Sequence, residues 1–285
     1  MMKEKIKKIL MVMLTSTICV APLVGCGSKV DENKVENILK AKEKLIAAEN
    51  ISLTRTISIE IEDENQSYGS DVIANMNTKE WYFEMFNNID GEKAIFTEMI
   101  VLDGDTYNRT IEQSQWEKLE GQQNNNIYGV DDISAIEINA KDLKELKESK
   151  DGENTIISIK YTKDAIKKVK EENVKNMEAT MEEYKNNPNV IPGAVDSNMV
   201  NLEALRKTNY KEMTNTLTID KSGVLIGYSS YFVFEQPEVL PSKDGKFELS
   251  KDLIELKMTS NITVNSYNDK KNVEIIEGFK QEVGK

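Results

Sequence analysis

Apolar and polar residues alternate one for one through segment after segment of this chain, and a period of two commits such segments to β-sheet. In SLTRTISIEIED, Leu53, Ile57, Ile59 and Ile61 point one way, with Thr54, Thr56, Ser58 and Glu60 opposite. KEWYFEMFNN sets Trp81, Phe83 and Met85 on one face and Tyr82, Glu84 and Phe86 on the other. EKAIFTEMIVLD, TYNRTI and SQWEKL follow. Later come NTIISIKYT, EMTNTLTID and GVLIGYSSYFVFE, the last carrying Tyr228, Phe232 and Phe234. DLIELKMTSNITVNSYN reads as a long strand whose inner face is Ile254, Leu256, Met258, Ile262 and Val264. Asp63-Glu64-Asn65, Asn77-Thr78-Lys79, Asp90-Gly91, Asp103-Gly104 and Lys221-Ser222-Gly223 are turn signals between them. Close turns between strands of this length make antiparallel meanders. PEVLPSKDGK is a connector or a sheet edge, because its prolines cannot donate to a ladder.

Three stretches break this period. From Asn33 to Glu49, Val35, Ile38, Leu39, Ala41, Leu45, Ile46 and Ala48 recur at near-helical spacing, with Asp31 or Asn33 placed to cap. A short helix is expected over Ala140 to Glu148, stopped by Asp151-Gly152, after a polar loop from Gly121 to Asp132. Thr162 is placed to cap a long charged helix to about Asn186, with a stripe of Ile166, Val169, Met177, Met181 and Tyr184. A coiled coil is the alternative, disfavoured by the shortness of the stripe. Leu202 to Arg206 adds a further turn, so a helical segment occupies about 140–207. The class is α+β, mostly β: one large curved antiparallel sheet, a half-open barrel, covered by helices in a single domain over 33–285.

The first 25 residues stand outside that domain. Lys3, Lys5, Lys7 and Lys8 precede a mostly apolar run from Ile9 to Leu23, too short and too interrupted for a spanning helix. The run ends in Leu23-Val24-Gly25-Cys26, which resembles a bacterial lipobox. That resemblance implies cleavage before Cys26, a diacylglycerol thioether on its sulfur and an acylated new N-terminus, with palmitate-like chains. Residues 26–32 are then a short tether to the outer face of a membrane. An ordinary secretory signal with an accidental cysteine is the alternative. Each buried methylene contributes about 0.8 kcal/mol, so two or three acyl chains make a durable anchor.

Cys19 leaves with the signal and Cys26 is consumed by lipid, so the exported chain has no disulfide and its core must hold it. The whole chain has 37 basic and 49 acidic residues. Without the signal's four lysines and one glutamate the net charge is near −15. Such a surface argues against nucleic acid as a partner. Its richness in Lys, Asn, Glu and Ile suggests an AT-rich genome and a Gram-positive host. There is no histidine. That removes Ser-His-Asp, Cys-His and His-based metal chemistry, and neither carboxylate nor Ser-Lys chemistry shows a motif. The expectation is a non-enzyme with no cofactor.

VLDGDTYNRTIEQSQWEKLEG offers one candidate metal loop, with Asp103, Asp105 and Asn108 as oxygen ligands. A helix–loop–helix calcium loop needs Gly at position six and Glu at twelve. Counted from Asp103, those positions hold Asn108 and Ser114, and Gly104 falls at position two. Asp103-Gly104 therefore reads as a hairpin turn.

The lipobox, the amphipathic helix, strands ending in DGDTYNRTIEQSQWEKL and the late LTIDKSGVLIGY hairpin together resemble lipoproteins of the LolA/LppX-like group. This group includes outer-membrane lipoprotein carriers and mycobacterial lipid-binding lipoproteins. The resemblance covers roughly Val30 to Lys285 and implies a half-open barrel wrapped around helices, with an apolar cavity for acyl chains. The charged helix at 162–186 departs from the group, as an insertion or a lid. No functional residue can be transferred.

Two functions stand level. One is a carrier of lipid or another apolar ligand, seated against Trp81, Phe83, Met85, Tyr228, Phe232, Phe234, Leu256 and Met258, with Ile262 beside them. Aromatic and Met side chains suit a variable acyl ligand. The other is a tethered accessory that binds a cell-envelope enzyme or surface protein through its strand edges or acidic helix, with no small ligand. A transporter's solute-binding protein is disfavoured, since strands and helices do not alternate.

Overall fold

The computed structural model describes residues 30–62, 64–89, 92–113, 115–120, 127, 129–186, 192–241 and 247–284. The signal, Cys26, Asp90-Gly91 and most of the polar loop lie outside the described residues. Eleven strands form one antiparallel sheet in the order β6-β5-β4-β3-β2-β1-β11-β10-β9-β8-β7. One meander comprises β1 (Asn50–Ile61), β2 (Glu64–Asn75), β3 (Glu80–Ile89), β4 (Glu92–Leu102), β5 (Asp105–Thr110) and β6 (Glu117–Lys118). The other comprises β7 (Leu143–Asp151), β8 (Asn154–Tyr161), β9 (Asn209–Ile219), β10 (Leu225–Pro241) and β11 (Phe247–Tyr267). They meet where the first strand pairs with the last, from Ile51↔Tyr267 to Ile61↔Leu256.

The turns follow from backbone chemistry. Asp103 and Gly104 both have positive φ, 51° and 84°, as a two-residue hairpin turn requires. At the β9–β10 loop Asp220 Oδ1 accepts from the Ser222 and Val224 amides, both at 2.9 Å, and Gly223 sits at φ 75°.

Helix α1 (Glu32–Ile46) is capped by Asp31, which accepts from the Asn33 amide, and buries Val35, Ile38, Ala41 and Leu45 against the inner face of the sheet. Helix α2 (Val130–Ser134) lies on the same face. Helix α3 (Lys163–Asn186) begins where the Thr162 hydroxyl accepts from the Ala165 amide, 3.2 Å. It buries Ile166, Val169 and Met181; the Tyr184 side chain lies outside the description. Helix α4 (Pro192–Lys207) is far longer than the single turn expected at Leu202–Arg206.

One expectation is corrected, and one pair of alternatives is decided. The stretch expected as a helix from Ala140 to Glu148 is a 3-10 turn (Ala140–Asp142) leading into β7. Leu143 and Leu146 share a face at helix-like spacing because a bulge lies between Leu143 and Glu145, and one extra residue shifts the phase of a strand. Asp151 ends β7, paired with Asn154, and Gly152-Glu153 is the β7–β8 hairpin turn. Secondly, PEVLPSKDGK is no mere connector, since β10 continues through Pro237 to Pro241, paired with β11. The edge reading holds there, because β9 pairs with β10 only as far as Asn209↔Glu235. Past that point β10 has no second neighbour to miss the proline N–H.

A C-terminal helix, α5 (Lys270–Val283), was not expected. It covers the outer face: Phe279 stacks on Tyr82 at 4.2 Å and meets Trp116 edge-on at 6.0 Å, while Ile276 packs with Ile100 and Leu102. Beside it, Arg109 donates to both Glu98 carboxylate oxygens at 2.8 and 3.0 Å, and the Tyr82 hydroxyl donates to Glu98 at 2.7 Å. Burial pushes the Glu98 pKa up, but the Arg109 and Tyr82 hydrogen bonds outweigh it and leave the net value lowered. A lowered folded-state pKa contributes stability that is present above the unfolded value, about 4.3, and lost as pH falls through the folded value. Thermal melts between pH 5 and 3 should therefore show a shallower acid loss in Arg109→Met than in the parent. An identical slope would place the acid sensitivity elsewhere.

Candidate ligand site on the inner face

The eight residues expected to line a cleft all lie on the inner face, as their alternation required. Trp81, Phe83, Phe232, Phe234 and Leu256 are each no more than 5% exposed, and Met85, Tyr228 and Met258 are partly buried against the same core. They fall into two groups. Phe232 pairs across the ladder with Met258, which pairs with Ile59; Phe234 pairs with Leu256. Trp81 and Phe83 sit four strands away, opposite Ala74 and Val72 of β2, which face Ile51 and Leu53 of β1.

Between the two groups runs a polar belt. Arg55 occupies an inward position of β1, opposite Ser70 on one side and Ile262 on the other, and Ile262 is opposite Tyr228. One step down the strands, Ser260, Ser230 and Asn215 lie in register on β11, β10 and β9. Their polar atoms are joined: Asn215 Nδ2 donates to the hydroxyls of Tyr161 (2.8 Å) and Tyr228 (2.9 Å), and Ser230 Oγ lies 2.8 Å from the Tyr228 hydroxyl. Burial pushes the Tyr228 pKa up to about 12 and raises that of Tyr161 well above its usual range. Both phenols stay protonated at neutral pH, as hydrogen-bonding groups rather than bases.

Helix α2 roofs the belt. Gly129, at its N-terminal end, has φ 78°, and a Cβ there would lie 2.6 Å from Leu53 Cδ1, so only glycine lets the chain descend this close to the sheet. Lys42 of α1 donates to the carbonyls of Ser134 (3.1 Å) and Ile136 (2.9 Å), holding the far end. The roof brings Asp132 to 3.2 Å from Arg55 NH1, with side chains 19% and 21% exposed.

A cavity of about 30 Å³ lies between roof and sheet, bordered by Arg55, Tyr228, Ser230 and Ser260 from the sheet and Asp132 from α2. That volume holds roughly two or three water molecules. At the belt, the buried Arg55 Nε and Asn215 Oδ1 have no hydrogen-bond partner. The lining offers a guanidinium, hydroxyls and a carboxylate, groups able to hydrogen-bond a small polar group. Of the eight expected residues, Tyr228 alone borders this cavity, and the other seven are packed in the surrounding core.

Sequence reasoning missed Arg55, Asp132, Asn215, Ser230 and Ser260. The signal was a polar residue at an inward phase: Arg55 between Leu53 and Ile57, Asn215 between Met213 and Leu217, Ser230 between Tyr228 and Phe232, Ser260 between Met258 and Ile262.

No family model matches the sequence, and no curated protein matches it. Among solved structures the chain is similar to the lipoprotein LppX of Mycobacterium tuberculosis, at 10% identity over 84% of this chain and 97% of that one, with a TM-score of 0.38. It is similar to LprF of Mycobacterium bovis at 10% identity over 84% and 94%, TM-score 0.37. A proposed outer membrane lipoprotein-sorting domain from Vibrio parahaemolyticus matches at 7% identity over 83% and 92%, TM-score 0.23. The structural neighbours are thus of the LolA/LppX-like kind that the sequence resembled.

Proposed function

We propose that this chain is a membrane-anchored extracytoplasmic lipoprotein, without enzymatic activity, that binds a lipid or other apolar ligand on the inner face of its sheet. Cys26 carries the anchor, on the outer face of the cell membrane of a Gram-positive bacterium. The observation that supports binding is the belt. A buried polar atom without a partner costs about 1–3 kcal/mol, and a core that served only to hold the sheet together would be expected to place apolar side chains at those inward positions. The inward-facing Arg55, Ser230 and Ser260, bordering a cavity between two apolar groups, suit a ligand with a polar group and apolar arms. Of the eight residues expected from sequence, Tyr228 borders the cavity and the other seven are core around it.

The second reading, a tethered accessory for an envelope enzyme or surface complex, is favoured by the tight burial of Phe232, Phe234 and Leu256. The chain from Gly27 onward, purified without detergent, separates the two. Organic extraction followed by mass spectrometry should recover an apolar compound in near-stoichiometric amount. Recovery of nothing, together with failure to bind an environment-sensitive apolar dye, sinks the carrier in favour of the accessory protein.

A further inference from the structure

We infer that Asp132 makes the inner-face site selective for an uncharged oxygen-bearing group, such as an ester carbonyl, over an anionic one. The inference rests on the inner-face binding proposed above and goes on to name the ligand's polar chemistry. The charge of the cavity carries it. Among the described residues that border it, Arg55 and Asp132 are the only ionisable groups charged at neutral pH, and they face each other at 3.2 Å. The site is therefore neutral as it stands. Tyr228 stays protonated, and Ser230 and Ser260 add only hydroxyls.

The two classes of ligand meet this site differently. A carbonyl oxygen needs a hydrogen-bond donor and no countercharge. Tyr228, Ser230 and Ser260 line the cavity and carry hydroxyl donors, so a carbonyl takes a hydrogen bond there without disturbing the Arg55–Asp132 pair. A carboxylate, sulfate or phosphate must instead draw on the guanidinium charge. Asp132 already holds that charge, and its own carboxylate repels an incoming anion within a cavity that holds only two or three waters. An unneutralised charge in so confined and largely buried a place is disfavoured. The same logic inverts on mutation. Asp132→Asn keeps the shape and leaves Arg55 as an unpaired cation, a seat for an anion. Arg55→Gln leaves Asp132 alone and excludes anions more firmly.

The test uses methyl decanoate and sodium decanoate, equal in chain length, each displacing an apolar dye from the anchored protein in detergent at pH 8.5. Melting temperatures accompany each variant to establish folding. The parent should prefer the ester by roughly tenfold or more, a difference of one power of ten in affinity. Asp132→Asn should reverse the order, and Arg55→Gln should retain the ester while losing measurable decanoate binding. If both ligands bind and the order is the same in parent and both variants, the selectivity inference is overturned and inner-face binding stands. If neither ligand displaces the dye from the parent, the cavity holds water only, and the proposed function fails with the inference.

Discussion

Phe232→Ala should lower the stability of the domain by about 3–5 kcal/mol, the usual cost of emptying a buried aromatic site. Phe232 is 1% exposed, lies between Met213 and Met258 across the two ladders, and meets Tyr210 edge-on at 6.4 Å. For a domain of this length each kcal/mol moves the melting temperature by roughly 2–4 °C, so calorimetry should register a fall of about 10 °C. The measurement also bears on function. A side chain lining an open, ligand-ready cleft has little packing to lose. A fall below about 1 kcal/mol would return Phe232 to the cleft wall.

Cys26→Ala should move the protein from the membrane fraction almost completely, either to the medium or into an uncleaved precursor. Its melting temperature should be unchanged, since the core among the described residues is built from α1 onward. Fractionation with intact-mass measurement checks both halves of this statement. A variant that remained membrane-bound and normally processed would show that the lipobox resemblance misleads. The mass of the parent should exceed that of the chain from Cys26 by its acyl groups.

The strands were legible where one buried face imposes its period on the sequence, and this reading passed over β2, whose inward run of Tyr68, Val72 and Ala74 is interrupted by Ser70. It failed at β7, where the bulge after Leu143 gave a strand the spacing of a helix. It failed again at α5, whose sequence KKNVEIIEGFKQEV is short, charged and interrupted by Gly278. Its partner surface did leave a trace. WYF places Tyr82 opposite Trp81 and Phe83, apolar on both phases, because β3 is covered on both sides. The belt was unreadable for a different reason. Arg55 lies on one strand and Asp132 lies beyond a polar loop, and only the roof helix brings them within 3.2 Å. Alternation tells which face a residue takes, not what descends onto it from 77 positions away.

The seam between the first and last strands has a consequence for how such a chain is made. Residues 51–61 pair with partners roughly two hundred positions downstream, so one flank of β1 stays bare until the final strand has been made. The first meander can order itself as it emerges, and so can the second, each by neighbouring hairpins. Joining them waits for Tyr267, whose partner Ile51 lies at the start of β1. The sheet is thus completed by its newest strand returning to its oldest, leaving β6 and β7 as its two edges. Until that return, one flank of β1 lies open to pairing with another strand.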